Sequence, residues 1–491
     1  MSPDGLAALS PEPASTSAEA SARLEFALDP HDLPALAGLP ELVPEGPARA
    51  IAIVWHDNPD GDLAAQGLSL ARQGKVWRLE RLRSDGSLVT PAAVLDTGAS
   101  PSALQPAPPA NVGPVAAFEG RSRAYRAPLG TLLALHGRVR GVMSERKLCR
   151  LTLAGSPAEL ESWAMELTAA LRLAVPRATL AAEAMTFARA APLPPRALGA
   201  PELDPDLPVS ESLAHIITHL LAVMLHWLDR CEIGTPESVH QARVATRRLR
   251  SALSLYRHAA TCPELAELAE ALKHCAARLG AARDWDVFLD GAAKRLAEIG
   301  QGDRRISLLL RTAARRRAEA YAELRAFIAS PEFRRLEIGL ACAAALRPWE
   351  RAADAAALDR PTRVFGAEML ERRLKRARKA GRRIEHLPIP GLHELRKDCK
   401  KLRYAAEFFG PGFPGGSRKI FLKRLAGLQE ELGELNDSAV AGHLMHELGP
   451  AGRGYAAGLV QGMATTSAEA ARKRVAKTWK RFRAAPRFWT A

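Results

Sequence analysis

The sequence predicts a chain in two parts: a strand-rich α+β region, then an all-α region made from a duplicated helical unit. Three observations carry this. Short runs with two-residue alternation, bounded by turn residues, fill the first part. A proline-rich stretch without periodicity, ARAAPLPPRALGAPELDPDLPVS (188–210), divides the chain. Beyond it a 3.6-residue pattern is nearly continuous and repeats at a fixed offset, His240 + 153 giving His393.

Taken in order, residues 1–21 are rich in Ser, Ala, Pro and Glu and are predicted to be disordered. The first domain spans 22–187. RLEFAL (23–28), AIAIVW (50–55), KVWRLERL (75–82), AYRAPL (124–129) and LCRLTLAG (148–155) read as strands. Helices are predicted near 29–39 and at 156–174, the second opened by Ser156 with Glu159 three residues on. PSALQPAPPANVGP (101–114) reads as a loop inside this domain. The linker is 188–208, and the helical domain is 209–485, with units at about 209–345 and 362–485.

Within the helical domain, Ser210 is expected to cap a helix ending near Cys231, and the next helix starts near Pro236. A third helix, 264–280, is expected to stop at Gly280. Later helices are expected from Ser438 and over SAEAARKRVAKTWKRFRAA, with a glycine-rich turn near 449–454. Up-and-down helical bundles are the economical architecture for such a pattern.

The second helix, VHQARVATRRLRSALSLY (239–256), places His240, Arg243, Arg247 and Arg250 within an arc of roughly 80°. Shifted by 153, Arg243 meets Arg396, Arg247 meets Lys400, Arg248 meets Lys401 and Arg250 meets Arg403. The register continues through Leu272/Leu425, Gly280/Gly433, Asp284/Asp437 and Val287/Val440. Each copy therefore presents one histidine and a row of cations, and two copies can face each other across one basic groove.

Charge agrees with that placement. The 491 residues carry a net +15; residues 1–200 hold 19 Lys+Arg against 20 Asp+Glu, and residues 201–491 hold 50 against 34. A basic domain joined to a neutral one suggests a polyanionic partner: nucleic acid, an anionic membrane surface or a phosphate polymer. Aromatic residues total 5% and none interleaves with the basic rows, which disfavours nucleic acid. The six cysteines are scattered without a CxxC pair, so buried thiols are expected, with neither disulfides nor a zinc site. No run of apolar residues long enough for a membrane helix stands out, and the N-terminus has no signal-peptide pattern, so a cytoplasmic location is expected.

SVHQARVATRRLRSAL, LGAARDWDV, LHELRKDCKKLRYAAEFF and LQEELGELND together resemble the CHAD family over roughly 209–485. The resemblance implies two related four-helix bundles that bind inorganic polyphosphate, and association with polyphosphate granules. DNPDGDLAAQGLSLARQGKVWRLERL (57–82) resembles the CYTH, or triphosphate tunnel, family over roughly 22–190. That family's E-x-E-x-K strand reads here as Arg23, Glu25 and Ala27; its paired-arginine strand reads Leu70-Ala71-Arg72; Glu80 stands for a lysine, and Arg150-Leu151-Thr152 for an acidic strand. Metal and triphosphate need clustered carboxylates opposed by cations. The first domain is therefore expected to be a degenerate, non-catalytic barrel, with an inorganic triphosphatase as the alternative.

For a phosphate polymer, cations on a rigid helix, spaced about 5 Å or a little more along its axis, offer a row for the chain to follow. Arginine forks grip phosphate oxygens bidentately, and lysine acts as a point charge. The candidate polyphosphate-binding residues are His240, Arg243, Arg247, Arg248, Arg250, His393, Arg396, Lys400, Lys401 and Arg403. Arg372, Arg376 and Lys379, on one side of their helix, and Lys273, Lys419 and Lys423 complete the set. No cofactor, metal or catalytic residue is expected. Asp284 and Asp437 read as capping groups or arginine partners. His215, His219 and His226 have metal-like spacing without companions. Trp479, Phe482, Phe488 and Trp489 read as packing residues or a hydrophobic tail.

Overall fold

The computed structural model describes residues 21–82, 88–140, 144–189, 198–231 and 234–490, without the side chains of 436–439. The segment expected to be disordered, apart from residue 21, and residues 190–197 of the linker lie outside the described residues.

The first region holds one antiparallel sheet: β1 (Ala22–Leu28), β2 (Val43–Pro44), β3 (Arg49–Asp57), β4 (Leu68–Gln73), β5 (Val76–Arg81), β6 (Ala93–Gly98), β7 (Gly113–Ala127), β8 (Gly130–Arg140), β9 (Glu145–Gly155) and β10 (Leu173–Ala174). The order is β10-β1-β9-β8-β7-β3-β4-β5-β6, with β2 beside β7. Alternation sorts the side chains onto two faces. Leu24, Phe26, Leu151 and Leu153 pack under Trp163 and Leu167. Ile53, Trp55, Phe118, Val139 and Leu148 pack under Ala181, Ala184 and Met185. The strand expected at 124–129 is the end of the longer β7 and the turn into β8. Gly120 and Gly137 face each other across that ladder; a Cβ at Gly120 would lie 2.2 Å from the His136 carbonyl oxygen. Glycines required by this close approach break the apolar alternation that periodicity relies on.

The helices are α1 (Leu33–Ala37), α2 (Asp62–Ala65), α3 (Pro157–Ala170), α4 (Leu180–Ala188), α5 (Val209–Cys231), α6 (Pro236–Tyr256), α7 (Pro263–Phe288), α8 (Lys294–Ile299), α9 (Arg304–Ile328), α10 (Pro331–Leu346), α11 (Trp349–Ala352), α12 (Ala355–Leu358), α13 (Thr362–Ala380), α14 (Ile389–Phe409), α15 (Gly415–Glu447) and α16 (Tyr455–Arg483). A π-helical turn, Leu289–Ala293, joins α7 to α8. In the first part of the helical region α5 packs on α6 and α10, α6 on α7, and α7 on α9; in the second, α13 packs on α14, α14 on α15, and α15 on α16. The two parts meet where α6 touches α14 and α9 touches α16.

Four helix boundaries differ from expectation. Gly280 does not stop a helix: α7 runs through it to Phe288, because Leu279, Ala282 and Trp285 continue the buried face. No helix starts at Ser438; α15 is unbroken from Gly415 to Glu447. The last helix begins at Tyr455, after the positive-φ Gly454. Ser210 lies inside α5 rather than capping it, accepting from the Trp349 indole N–H at 2.8 Å and donating to Glu350.

α5 also departs from the expectation that no stretch could cross a membrane. It is long and apolar enough by length and composition, and 72% of its most apolar window is buried inside the protein. The two regions are tied by an ion network. Buried Glu337 of α10 accepts from the Val175 N–H at 3.2 Å and lies 3.5 Å from Arg177, which holds Asp229 of α5 at 2.9 Å. All six cysteines are buried and unbridged. Trp479, Phe482, Phe488 and Trp489 are buried packing residues.

Candidate functional site

Thr235 caps α6 by accepting from the Ser238 N–H at 3.3 Å. The helix buries Val239, Ala242, Leu249 and Tyr256, and α14 buries Leu392, Leu395, Cys399 and Leu402. With those stripes committed to the core, the cations are left where the two helices meet. His240, Arg243 and Arg247 of α6 and His393, Arg396 and Lys400 of α14 line a single cavity of about 830 Å³. Its lining pairs residues 153 apart: 240/393, 243/396, 247/400, 287/440, 288/441 and 291/444. A second cavity of about 590 Å³ shares Arg247 and Lys400 with the first and adds Arg250, Lys273 and Lys401. The shared residues make the two cavities one groove along α6 and α14.

Cations outnumber carboxylates along it, and the carboxylates present are engaged. Asp284 lies 3.9 Å from Arg243, Glu434 is 2.7 Å from Arg474, and Glu270 is 2.8 Å from Lys273. Arg243 also donates to the Ala276 carbonyl at 3.4 Å. The Arg247 guanidinium sits 5.9 Å from the Tyr404 ring centre, a cation–π contact. Burial pushes the His240 imidazole below its ordinary pKa, and Arg283, Arg247 and Arg243 push the same way against Glu237. Burial likewise lowers Lys401, reinforced by Arg373, Arg376 and Lys397 and opposed by Asp398. Burial lowers Arg243, with Asp284 opposing. A site where cations depress one another is one where an anion relieves both burial and repulsion.

Not every candidate cation lies in the groove. Arg248 and Arg403 instead grip the two oxygens of Glu407, at 3.0 Å and 2.8 Å. Arg376 pairs with Asp398 at 3.0 Å beside Lys401. Arg372, Lys379, Lys419 and Lys423 are exposed and outside both cavity linings. Conversely, Arg283 and Arg295 line the first cavity and Arg257 and Lys397 the second. Arg373 donates to the Ser254 carbonyl at 3.1 Å on the same flank. A search by repeat cannot find these cations. Residues 283, 295 and 257 shifted by 153 give Asn436, Leu448 and Gly410, and 397 shifted back gives Val244. Arg283 carried one signal, its place in the LGAARD motif.

Gly280 explains part of that motif. A Cβ there would stand 2.7 Å from an Arg243 guanidinium nitrogen, whereas one at Gly433 would meet nothing within 4 Å. Gly→Ala inside a helix ordinarily stabilises by about 1 kcal/mol. Gly433→Ala is expected to raise stability by about that amount and leave ligand binding unchanged. Gly280→Ala is expected to displace Arg243 and weaken binding about tenfold without a matching loss of helix stability. Thermal melts and anion titrations of both variants check this.

Elsewhere the site chemistry is sparse. Among the described residues no group of three or more His, Cys, Asp or Glu could hold a metal. His219 contacts the Gly199 carbonyl at 3.2 Å. In the sheet, buried Arg150 is bonded to Glu183 of α4 and lies 3.7 Å from Glu25. Glu80 accepts from the Ser69 hydroxyl at 3.2 Å, and burial raises its carboxyl pKa. Asp284 pairs with Arg243 in mid-helix rather than capping; the Asp437 side chain lies outside the described set.

Residues 215–446 match the family model described as the CHAD domain. The chain contains a CHAD domain. Both motif helices, α6 and α14, fall inside the matched CHAD residues. Among solved structures, the chain is similar to the CHAD domain from the plant Ricinus communis, at 31% identity and TM-score 0.43, covering 60% of this chain and 93% of that one. It is also similar to PptA from Streptomyces chartreusis, at 16% identity and TM-score 0.43, covering 56% of this chain and 99% of that one. No curated protein matches the chain.

Proposed function

We propose that this protein binds inorganic polyphosphate in the groove between α6 and α14, as two related helical bundles turned toward one another, and associates with polyphosphate granules. One observation carries the reading: the histidine and cations of both repeat copies line one cavity. A flexible chain with about one charge per phosphate can thread such a groove, exchanging its counterions for fixed cations. The first region acts as a degenerate, non-catalytic CYTH-like barrel. Supporting this, Glu25, the one carboxylate retained on that family's metal-binding strand, faces Arg150, and α4 packs its apolar side on the same face of the sheet.

The test is titration of the full chain with polyphosphates of defined length at several salt concentrations, with duplex DNA as competitor. Affinity should rise with length until the groove is filled, and long polyphosphate should displace DNA at far lower charge concentration than the reverse. Equal competition would favour a general polyanion binder.

A pH dependence follows from His240. Its pKa in the free protein lies below 6.5, so the folded state favours neutral imidazole. That contribution to stability is present above about pH 6.5 and is lost as pH falls through the range where the imidazole gains a proton. A bound polyanion reverses the shift, so binding takes up protons and tightens as pH falls toward 5.5. An increase of about threefold or more from pH 7.5 is expected, since one pKa unit corresponds to about tenfold. In His240→Gln the pH slope should shrink, as measured by titration in two buffers of different ionisation enthalpy.

A further inference from the structure

The larger cavity has two chemically opposed walls. Across from the cations of α6 and α14, the lining residues that keep open apolar surface are Val287 at the end of α7, Val440 of α15 and Met463 of α16; Leu444 and Val460, in the same lining, are 3% and 1% exposed. Val287 is 40% exposed, apolar surface left open beside charged groups. The π-helical turn after α7 brings Gly291 to the same cavity, and nothing lies within 4 Å of where its Cβ would stand. A chain of phosphates gains nothing from such a wall and loses hydration against it. The volume of about 830 Å³ suits an organic ligand, for which pockets run from about 300 to 1,000 Å³.

Resting on the anion-binding reading above, we infer that this cavity takes an aliphatic phosphate ester, its diphosphate head on the His240–His393 wall and its hydrocarbon chain on the α15–α16 wall. A hydrocarbon fits better than a nucleobase. Phe288 is only 4% exposed and offers no ring face for stacking, and Glu434, which could read a base edge, is held by Arg474. Apart from Arg283, Asp284, Arg295 and Ser467, the remaining lining is aliphatic, and burying each methylene against it favours binding.

The full chain is titrated calorimetrically with inorganic pyrophosphate, geranyl diphosphate below its micellar concentration, and long-chain polyphosphate. Geranyl diphosphate should bind at least about tenfold more tightly than pyrophosphate and be displaced by polyphosphate. Val287→Asn, at a half-open position that folding tolerates, should remove most of that gain while pyrophosphate binding stays. Equal affinity for the two diphosphates, with polyphosphate binding intact, overturns this inference and leaves the polyphosphate reading standing. So does geranyl diphosphate that binds but that polyphosphate cannot displace. Failure of all three ligands to bind removes both.

Discussion

The double variant Arg243→Ala with Arg396→Ala should bind long-chain polyphosphate about 100-fold more weakly than the parent. The two guanidiniums come from opposite helices and line the same cavity. Each charge-assisted contact to phosphate contributes about 1.5–3 kcal/mol, and two decades of affinity correspond to about 2.7 kcal/mol. The logarithmic salt slope should also fall by about 1.4, from about 0.7 per phosphate neutralised on a flexible single chain. Arg243 packs against α7 and is anchored to Ala276 and Asp284, so its truncation can cost stability. Arg243→Lys with Arg396→Lys separates the effects: it keeps charge and bulk, should hold most of the salt slope, and should lose affinity through the missing fork. Unchanged affinity in a folded alanine double variant would falsify the groove as the binding site.

The legible and illegible parts of this molecule divide along a physical line. Helix faces were legible, because burial of one stripe dictates where the opposite stripe points; Val239 and Leu249 fix the direction of Arg243 as firmly as Leu392 and Leu402 fix that of Arg396. The fixed offset then implied a shared groove, and the two histidines do line one cavity. Helix ends were less legible where a glycine serves clearance instead of termination, as at Gly280 beneath Arg243. Strands β7 and β8 were obscured for a related reason, their facing glycines answering to backbone approach instead of to solvent. Pairing partners were least legible. Arg403 and Glu407 stand at i,i+4 within α14, a spacing the sequence displays, but nothing local to Arg248 announces Glu407, because an ion pair between α6 and α14 depends on how two helices cross. Cations without a repeat counterpart, such as Arg283 and Lys397, join the groove by the same tertiary accident.

Glu407→Ala should lower stability by about 3 kcal/mol, read as loss of the helical signal at lower denaturant. The carboxylate and the Arg248 guanidinium are both largely buried, with side chains 14% and 16% exposed. Removing one partner leaves a buried cation without its counter-charge, which costs about 3–5 kcal/mol at full burial and somewhat less here. Polyphosphate should respond in the opposite sense. Arg248 and Arg403 are both tied to Glu407, on the helices that form the groove. With the carboxylate gone, two cations beside the groove have no anion except the ligand, and affinity should hold or rise about threefold at low salt, with a steeper salt slope. Glu407→Gln preserves acceptor geometry at one oxygen and should fall between parent and alanine in both measurements. Loss of affinity in Glu407→Ala, in a protein whose melt shows it folded at the assay temperature, would mean that the Glu407 clamp sets the crossing of α6 and α14 on which the groove's width depends.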